Sequence, residues 1–241
     1  VHHPMDEALA EIYAYYPDVH YACISEFQAE AMKLENASVI HHGIDPSLYK
    51  VQEKKQDYLA FLGRIAPVKG VHLAIEVAKK SGIPLKIAGQ VQPLYQNYWE
   101  NEVKPHVDGK FIEFLGELDI AEKGELLGNA RAMVFPIQWH EPFGLVLVEA
   151  MACGTPVLAL PGGSVAEIVR EGVSGHICAT VDEMVERAKD VKIPAARVRK
   201  YVDEEFSLPR MVDAYIALYQ RLAGETRRPI EAVPAPESRI A

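Results

Sequence analysis

AMVFPIQWHEPFGLVLVEAMACGTPVLAL, residues 132–160, holds two short apolar runs, Ala132–Phe135 and Val157–Leu160, on either side of a longer helical stretch. Each run is too short for anything but a buried strand, while Pro142 and Gly144 open a helix that Gly154 closes. Apart from Glu149, every residue from Leu145 to Cys153 is apolar, which predicts a helix buried all round. Strand, helix, strand in this order is the βαβ unit of a parallel sheet, with its right-handed crossover.

Working outward, the same rhythm runs from Asp57 onward. Tyr58–Leu62, Leu85–Ala88, Phe111–Leu115 and His176–Cys178 read as further strands, and residues 71–82, 120–130 and 181–190 as amphipathic helices. The predicted fold class is α/β, a mostly parallel sheet with helices on both faces, which receives ligands at the carboxyl ends of its strands. The chemistry is therefore sought in the loops that follow each strand. Ahead of this region, His20–Ile24 and Ser38–Ile40 flank a helical 25–36 with Ser25 as N-cap. Two strands and a helix cannot bury themselves, so residues 1–47 read as the remnant of a preceding α/β domain, ending in the Gly43–Pro46 turn. Val1 in place of an initiator Met fits a fragment or a processed chain. Residues 48–205 form the ligand-binding domain, and 206–222 contain an amphipathic helix from Leu208. The Pro-rich residues 223–241 are excluded from the fold.

The 241 residues carry 25 Lys+Arg against 34 Asp+Glu, a net charge of −9, without a basic stripe. A field of that sign repels nucleic acid and anionic membrane, so any bound phosphate must meet a few placed cations. Cys23, Cys153 and Cys178 sit far apart in apolar runs, the pattern of reduced buried thiols, from which a cytoplasmic compartment is expected. No apolar run approaches membrane-span length, and the first ten residues lack the features of a leader peptide.

Three loops carry candidate chemistry. The first is Gly63-Arg64-Ile65-Ala66-Pro67-Val68-Lys69-Gly70, where a strand end passes one Arg and one Lys before a helix starts. A guanidinium fork, an ammonium and free helix N–H groups together suit a diphosphate. Taken alone, the segment reads more readily as two solvated surface cations; the next loops change that balance. In the second, Glu149 lies inside an apolar helix, where an ionised carboxylate costs several kcal/mol, of order 3–5, unless it is paired or hydrogen-bonded. It is either a member of a structural network or a ligand contact, with nucleotide ribose hydroxyls as the obvious donors. Glu141, just before that helix, can accept from sugar hydroxyls while the N–H groups of Phe143, Gly144 and Leu145 face an anion. The third loop, Leu160-Pro161-Gly162-Gly163-Ser164, has a glycine pair that permits close backbone approach to a ligand or simply turns the chain. Ser164 with Glu167 fits a capping box, which makes Glu167 structural rather than catalytic.

There is no G-x-G-x-x-G, no G-x-x-x-x-G-K-[ST], no G-x-S-x-G and no H-E-x-x-H, so oxidoreductase, P-loop, serine hydrolase and zincin readings lose their signatures. D-x-D, which would anchor a metal-held nucleotide, is missing too. His2-His3 and His41-His42 lack partners at metal-ligand spacing and read as turn or core histidines.

Gly63-Arg64…Lys69-Gly70, the Glu141…Glu149 pair and EPFGLVLVEAMACGTPV with its PGG and Glu167 resemble glycosyltransferase family 4. Fainter likeness covers Cys23-Ile24-Ser25 and residues 39–45. The resemblance implies a GT-B fold of two Rossmann-like domains, the first incomplete here. It implies retaining, metal-independent transfer of a sugar from a UDP-, GDP- or ADP-sugar donor to an acceptor the sequence does not identify. Arg64 and Lys69 with Gly63 would hold the diphosphate, and Glu149 the ribose. Glu141 with the amides of Phe143, Gly144 and Leu145 would hold the donor sugar, and Glu117 and Leu118 the nucleobase. No cofactor and no metal ligand are implied. The last helix would pack back toward the first domain. The alternatives are a nucleotide-sugar-binding module or subunit inactive on its own, and a nucleotide-sugar epimerase of the same fold.

Overall fold

A computed structural model describes residues 7–33 and 36–225. His2-His3 and the tail beyond residue 225 lie outside them. The described residues begin with α1 (Glu7–Ala14), β1 (Tyr21–Cys23), α2 (Glu26–Met32) and β2 (Ala37–Val39). Next come β3 (Leu59–Leu62), α3 (Val71–Ser81), β4 (Leu85–Ala88), the single turn α4 (Gln96–Tyr98) and β5 (Ile112–Phe114). The second half of the sheet is built from α5 (Ile120–Asn129), β6 (Ala132–Phe135), α6 (Leu145–Ala152), β7 (Val157–Ala159), α7 (Val165–Ile168) and β8 (Gly175–Ile177). Three helices close the described chain: α8 (Val181–Lys189), α9 (Ala195–Glu205) and α10 (Leu208–Glu225).

Strands β3 to β8 form one parallel sheet in the order β5-β4-β3-β6-β7-β8. From β3 the chain moves outward through β4 and β5, then returns to the other side of β3 and moves outward again through β6, β7 and β8. Such a reversal opens a crevice outside the carboxyl ends of the two central strands, here β3 and β6.

The strands have only three or four residues, and two-faced burial is what holds them. Leu59, Phe61, Val134 and Leu158 point into a core with Val71, Ile75 and Ala78 of α3 and Met184 and Val185 of α8. Ala60, Leu62, Met133 and Phe135 point the other way, toward Leu127 of α5, Leu147 and Met151 of α6, and Val198 and Val202 of α9. Adjacent residues serve opposite faces, as a period of two requires, and each fully buried large side chain contributes about 1.5–3 kcal/mol.

The first elements are sparser. β1 and β2 form a separate two-stranded parallel sheet, with Tyr21 opposite Ala37 and Cys23 opposite Val39. α2 stops at Met32, shorter than the 25–36 reading, because Lys33 turns left-handed at φ 50°. At the Gly43–Pro46 turn the chain pairs with its own distant end: Ile44 N donates to Phe206 O (2.9 Å) and Leu208 N to Ile44 O (2.7 Å). A Cβ on Gly43 would lie 2.5 Å from Ser207 O, so the crossing needs a glycine. α10 then runs back along the first elements, and Arg221 donates to Ser38 Oγ at 2.9 Å. It extends to Glu225, three residues past the sequence reading. All three cysteines are buried and free. Among the described residues no helix is long and apolar enough to cross a membrane.

Candidate active site

The loops after β3 and β6 are fastened together across the crevice. Gln138 N donates to Val68 O at 2.8 Å. Gly70, which starts α3, has φ 73°, and a Cβ there would sit 1.9 Å from Pro136 O. Only glycine allows this approach, and the approach fixes Lys69, at the end of the Pro67–Lys69 turn, against the β6 loop.

Lys69 Nζ pairs with Glu141 Oε2, which also accepts from the indole Nε1 of Trp139 at 3.0 Å. The same ammonium lies 4.7 Å from the centroid of the Trp139 ring. Glu141 is 8% exposed, so the pair is nearly shut off from solvent and of a kind that costs much to break. Its backbone is held as firmly: Ser164 donates from N and Oγ to Glu141 O (2.9 and 3.0 Å), and Ser164 Oγ also lies 3.0 Å from Phe143 O.

These contacts correct one sequence reading and extend another: the glycine pair does turn the chain, with Val165 N donating to Gly162 O at 3.3 Å. The glycine pair makes room for the neighbouring loop: a Cβ on Gly163 would fall 2.2 Å from Glu141 O, and one on Gly162 would fall 2.6 Å from Trp139 O. The Ser164/Glu167 capping box does not form, because Ser164 turns to the Glu141 loop and makes no side-chain cap. Glu167 instead caps α2 from a distance. Glu26 N and Phe27 N donate to its two oxygens at 2.7 and 2.8 Å, and His41 Nε2 lies 3.3 Å from it. Burial pushes the Glu167 carboxyl up, but the His41 bond and the two backbone donors outweigh it and hold the pKa below its ordinary value.

Gly144, at φ 88°, leads into α6. Among the described residues, the N–H groups of Phe143, Gly144 and Leu145 have no acceptor, as the first turn of a helix leaves them. The helix is not buried all round: Leu145 is 44% exposed, since the first turn opens on the crevice. Glu149, four residues on, does belong to an internal network. Its Oε1 accepts from Lys123 Nζ of α5 at 2.5 Å and from the Tyr49 hydroxyl at 3.0 Å. Burial first, and then the neighbouring carboxylate, push the Tyr49 hydroxyl pKa up, so it stays a donor.

Arg64 is exposed and pairs with no acid among the described residues. Glu117 is exposed in the loop after β5, while Leu118 is half-buried against the core beneath α6. Thus Arg64, Lys69, Glu141 and the Phe143–Leu145 amides flank the crevice between β3 and β6, with Glu149 one helical turn further along α6. Tyr49, Lys123 and Trp139 are the members the sequence reading missed. For Tyr49 and Lys123 the one signal was the requirement that a carboxylate in an apolar helix find partners; Trp139, which meets Glu141 in a loop, had none. A cleft of about 480 Å³ lies elsewhere, at the amino ends of the strands, lined by Lys55, Asp57, Arg131 and Asp190. Its charges largely satisfy one another, with Arg131 2.7 Å from Asp57 and Lys192 2.6 Å from Asp190, so it offers little for a ligand.

The family profile of glycosyl transferases group 1 matches residues 49–193. The glycogen synthase of Mycobacterium tuberculosis (strain CDC 1551 / Oshkosh) is 32% identical over a 190-residue alignment that covers 75% of this chain and 43% of that protein. The D-inositol 3-phosphate glycosyltransferase of Mycobacterium marinum is 28% identical, over 84% of this chain and 48% of its own length. The chain therefore spans less than half the length of these curated relatives. Among solved structures, AviGT4, a glycosyltransferase of avilamycin A biosynthesis, superposes with a TM-score of 0.72 at 26% identity, covering 84% of this chain and 64% of its own. Anabaena Alr3699/HepE reaches a TM-score of 0.77 at 19% identity, over 91% and 68%, a likeness of the GT-B fold. With a parallel sheet, a crevice at its reversal point and a profile covering most of that sheet, the chain belongs to the glycosyl transferases group 1 family.

Proposed function

We propose that the crevice between β3 and β6 binds a nucleoside-diphosphate sugar, and that the chain takes part in transferring the sugar to an acceptor with retention and without a metal ion. The observation that carries this reading is what meets there: an unpaired guanidinium at Arg64, acceptor-free amides at residues 143–145 and two carboxylates. Arg64 and Lys69, with the Gly63 backbone, hold the diphosphate. Glu141 and the amides of Phe143, Gly144 and Leu145 hold the donor sugar. Glu149 takes the ribose, and Glu117 with Leu118 the base. As the glycosidic bond breaks, charge develops on the departing diphosphate, and donors already in place stabilise it without reorganising. The GT-B neighbour from Anabaena was also solved with UDP-glucose, which supports a nucleoside-diphosphate sugar as donor.

The test is release of nucleoside diphosphate from UDP-, GDP- and ADP-glucose in the presence of EDTA, with water as acceptor and proton NMR of the freed sugar. Release with the α-anomer formed first is expected from an α-linked donor. The β-anomer, or turnover abolished by EDTA, would overturn the retaining, metal-independent mechanism. Binding without release would favour a module that needs a partner, and a donor altered at a ring carbon would indicate epimerisation.

A further inference from the structure

The two carboxylates of the site are held in the same way. Each has one oxygen gripped by a lysine together with an aromatic donor. For Glu141, Oε2 takes Lys69 Nζ and Trp139 Nε1; for Glu149, Oε1 takes Lys123 Nζ and the Tyr49 hydroxyl. In both cases nothing among the described residues donates to the other oxygen. No buried side-chain oxygen in the described chain lacks a hydrogen bond, so Glu141 Oε1 and Glu149 Oε2 both reach solvent.

Resting on the function proposed above, we infer that Tyr49, Lys123 and Trp139 are positioning residues that lock each carboxylate in one orientation, so that a single defined oxygen faces the donor. A carboxylate at the end of a flexible side chain turns broadly about its last torsion, and a hydroxyl bound to it gains little if that freedom must first be lost. Two donors converging on one oxygen remove the freedom in advance. The lysine supplies the countercharge that a carboxylate 12% exposed needs, and the aromatic group supplies direction. The Tyr49 ring is itself rigidly held. The residue is 7% exposed, and its backbone carbonyl accepts from Arg199 at 2.9 Å, which also donates to Ala152 O at the end of α6. The chain of contacts runs unbroken from Arg199 on α9 through Tyr49 to Glu149 and Lys123 on α5.

The experiment is calorimetric titration of the full chain with whichever of UDP, GDP and ADP it binds, each beside its 2′-deoxy counterpart. Wild-type protein should prefer the ribonucleotide by about tenfold or more, the scale of one hydrogen bond to a charged group. Tyr49→Phe and Lys123→Met should each bring that preference to within about threefold, whereas Lys123→Arg, which keeps the charge and the donor, should retain it. Trp139→Phe should reduce the extra affinity of the nucleotide sugar over the bare diphosphate and leave the bare diphosphate unchanged. Melting temperatures read alongside separate folding from positioning. A variant that melts lower with its ligand preference intact would overturn the inference, as would an unchanged preference in both Tyr49→Phe and Lys123→Met. If wild-type protein binds none of the three nucleotides, the functional reading itself fails, which is a distinguishable result.

Discussion

Gly70 and Gly163 each stand where a neighbouring backbone passes closer than any side chain allows. A Cβ would lie 1.9 Å from Pro136 O at the first and 2.2 Å from Glu141 O at the second, and both have positive φ. Alanine at either position is expected to cost about 2–3 kcal/mol, from backbone strain added to overpacking. Denaturant unfolding checks this, with Gly82→Ala, which has a similar φ and open space, as a milder control. At this scale the sequence was informative wherever a residue contradicted its surroundings. Glu149 stood out because an acid inside an apolar helix demands partners, and Arg64 because a cation follows a strand end. The partners themselves were not legible. Lys69 and Glu141 are 72 positions apart, Tyr49 and Glu149 100, and no local pattern announces such contacts. The glycine pair at 162–163 reads as serving a ligand or a turn; that it also makes room for the Glu141 loop is not legible, because that loop belongs to another element.

Between elements, Glu167 is the most telling contact, since it joins the ligand edge of the sheet to the start of α2. Its pKa lies below the ordinary value of 4.5 in the folded chain. A depressed carboxylate contributes stability that is full above its unfolded pKa and is lost as pH falls through the folded one. Protection of the α2 amides, taken relative to their intrinsic exchange rate at each pH, is therefore expected to fall on going from neutral pH to below about 4, and Glu167→Gln should flatten that response at a cost of about 1 kcal/mol, as for a helix cap. Protection that does not change with pH in the parent chain would contradict this. Lys55 joins elements at the other edge of the sheet, donating to Gly128 O at the end of α5, Cys153 O just past α6, and Thr155 Oγ1. Burial draws its pKa down from 10.5 to about 8. Between those values the unfolded chain holds more protons than the folded one, so this group's contribution to stability rises with pH there. Replacing it by Met should remove that rise, which urea unfolding across the window would reveal. Element types were legible from periodicity, and all six strands of the sheet appear within a residue or two of their predicted places. α9 and the short turns between Pro93 and His106 were not foreseen. The turns are anchored by tertiary contacts, Tyr98 on His72 and Trp99 on Phe114, rather than by a repeating pattern.

For the whole molecule, the contrast lies between a six-stranded sheet covered on both faces and a two-stranded one with three residues per strand. Small parallel sheets hold few apolar contacts, so amide exchange across His20–Ile40 should be fast beside Val146–Leu160. Equal protection of the two regions would show that the first elements are more firmly anchored than their packing implies. The order of the large sheet also brings distant loops to one crevice, and the claim that this crevice binds a diphosphate underlies everything said of the site. Calorimetric titration of Arg64→Ala and Lys69→Ala with the nucleoside diphosphate that wild-type protein binds best tests it most directly. Arg64→Ala is expected to lose at least about tenfold in affinity, since a hydrogen bond to a charged group contributes about 1.5–3 kcal/mol. Dissociation constants unchanged in both variants would contradict it.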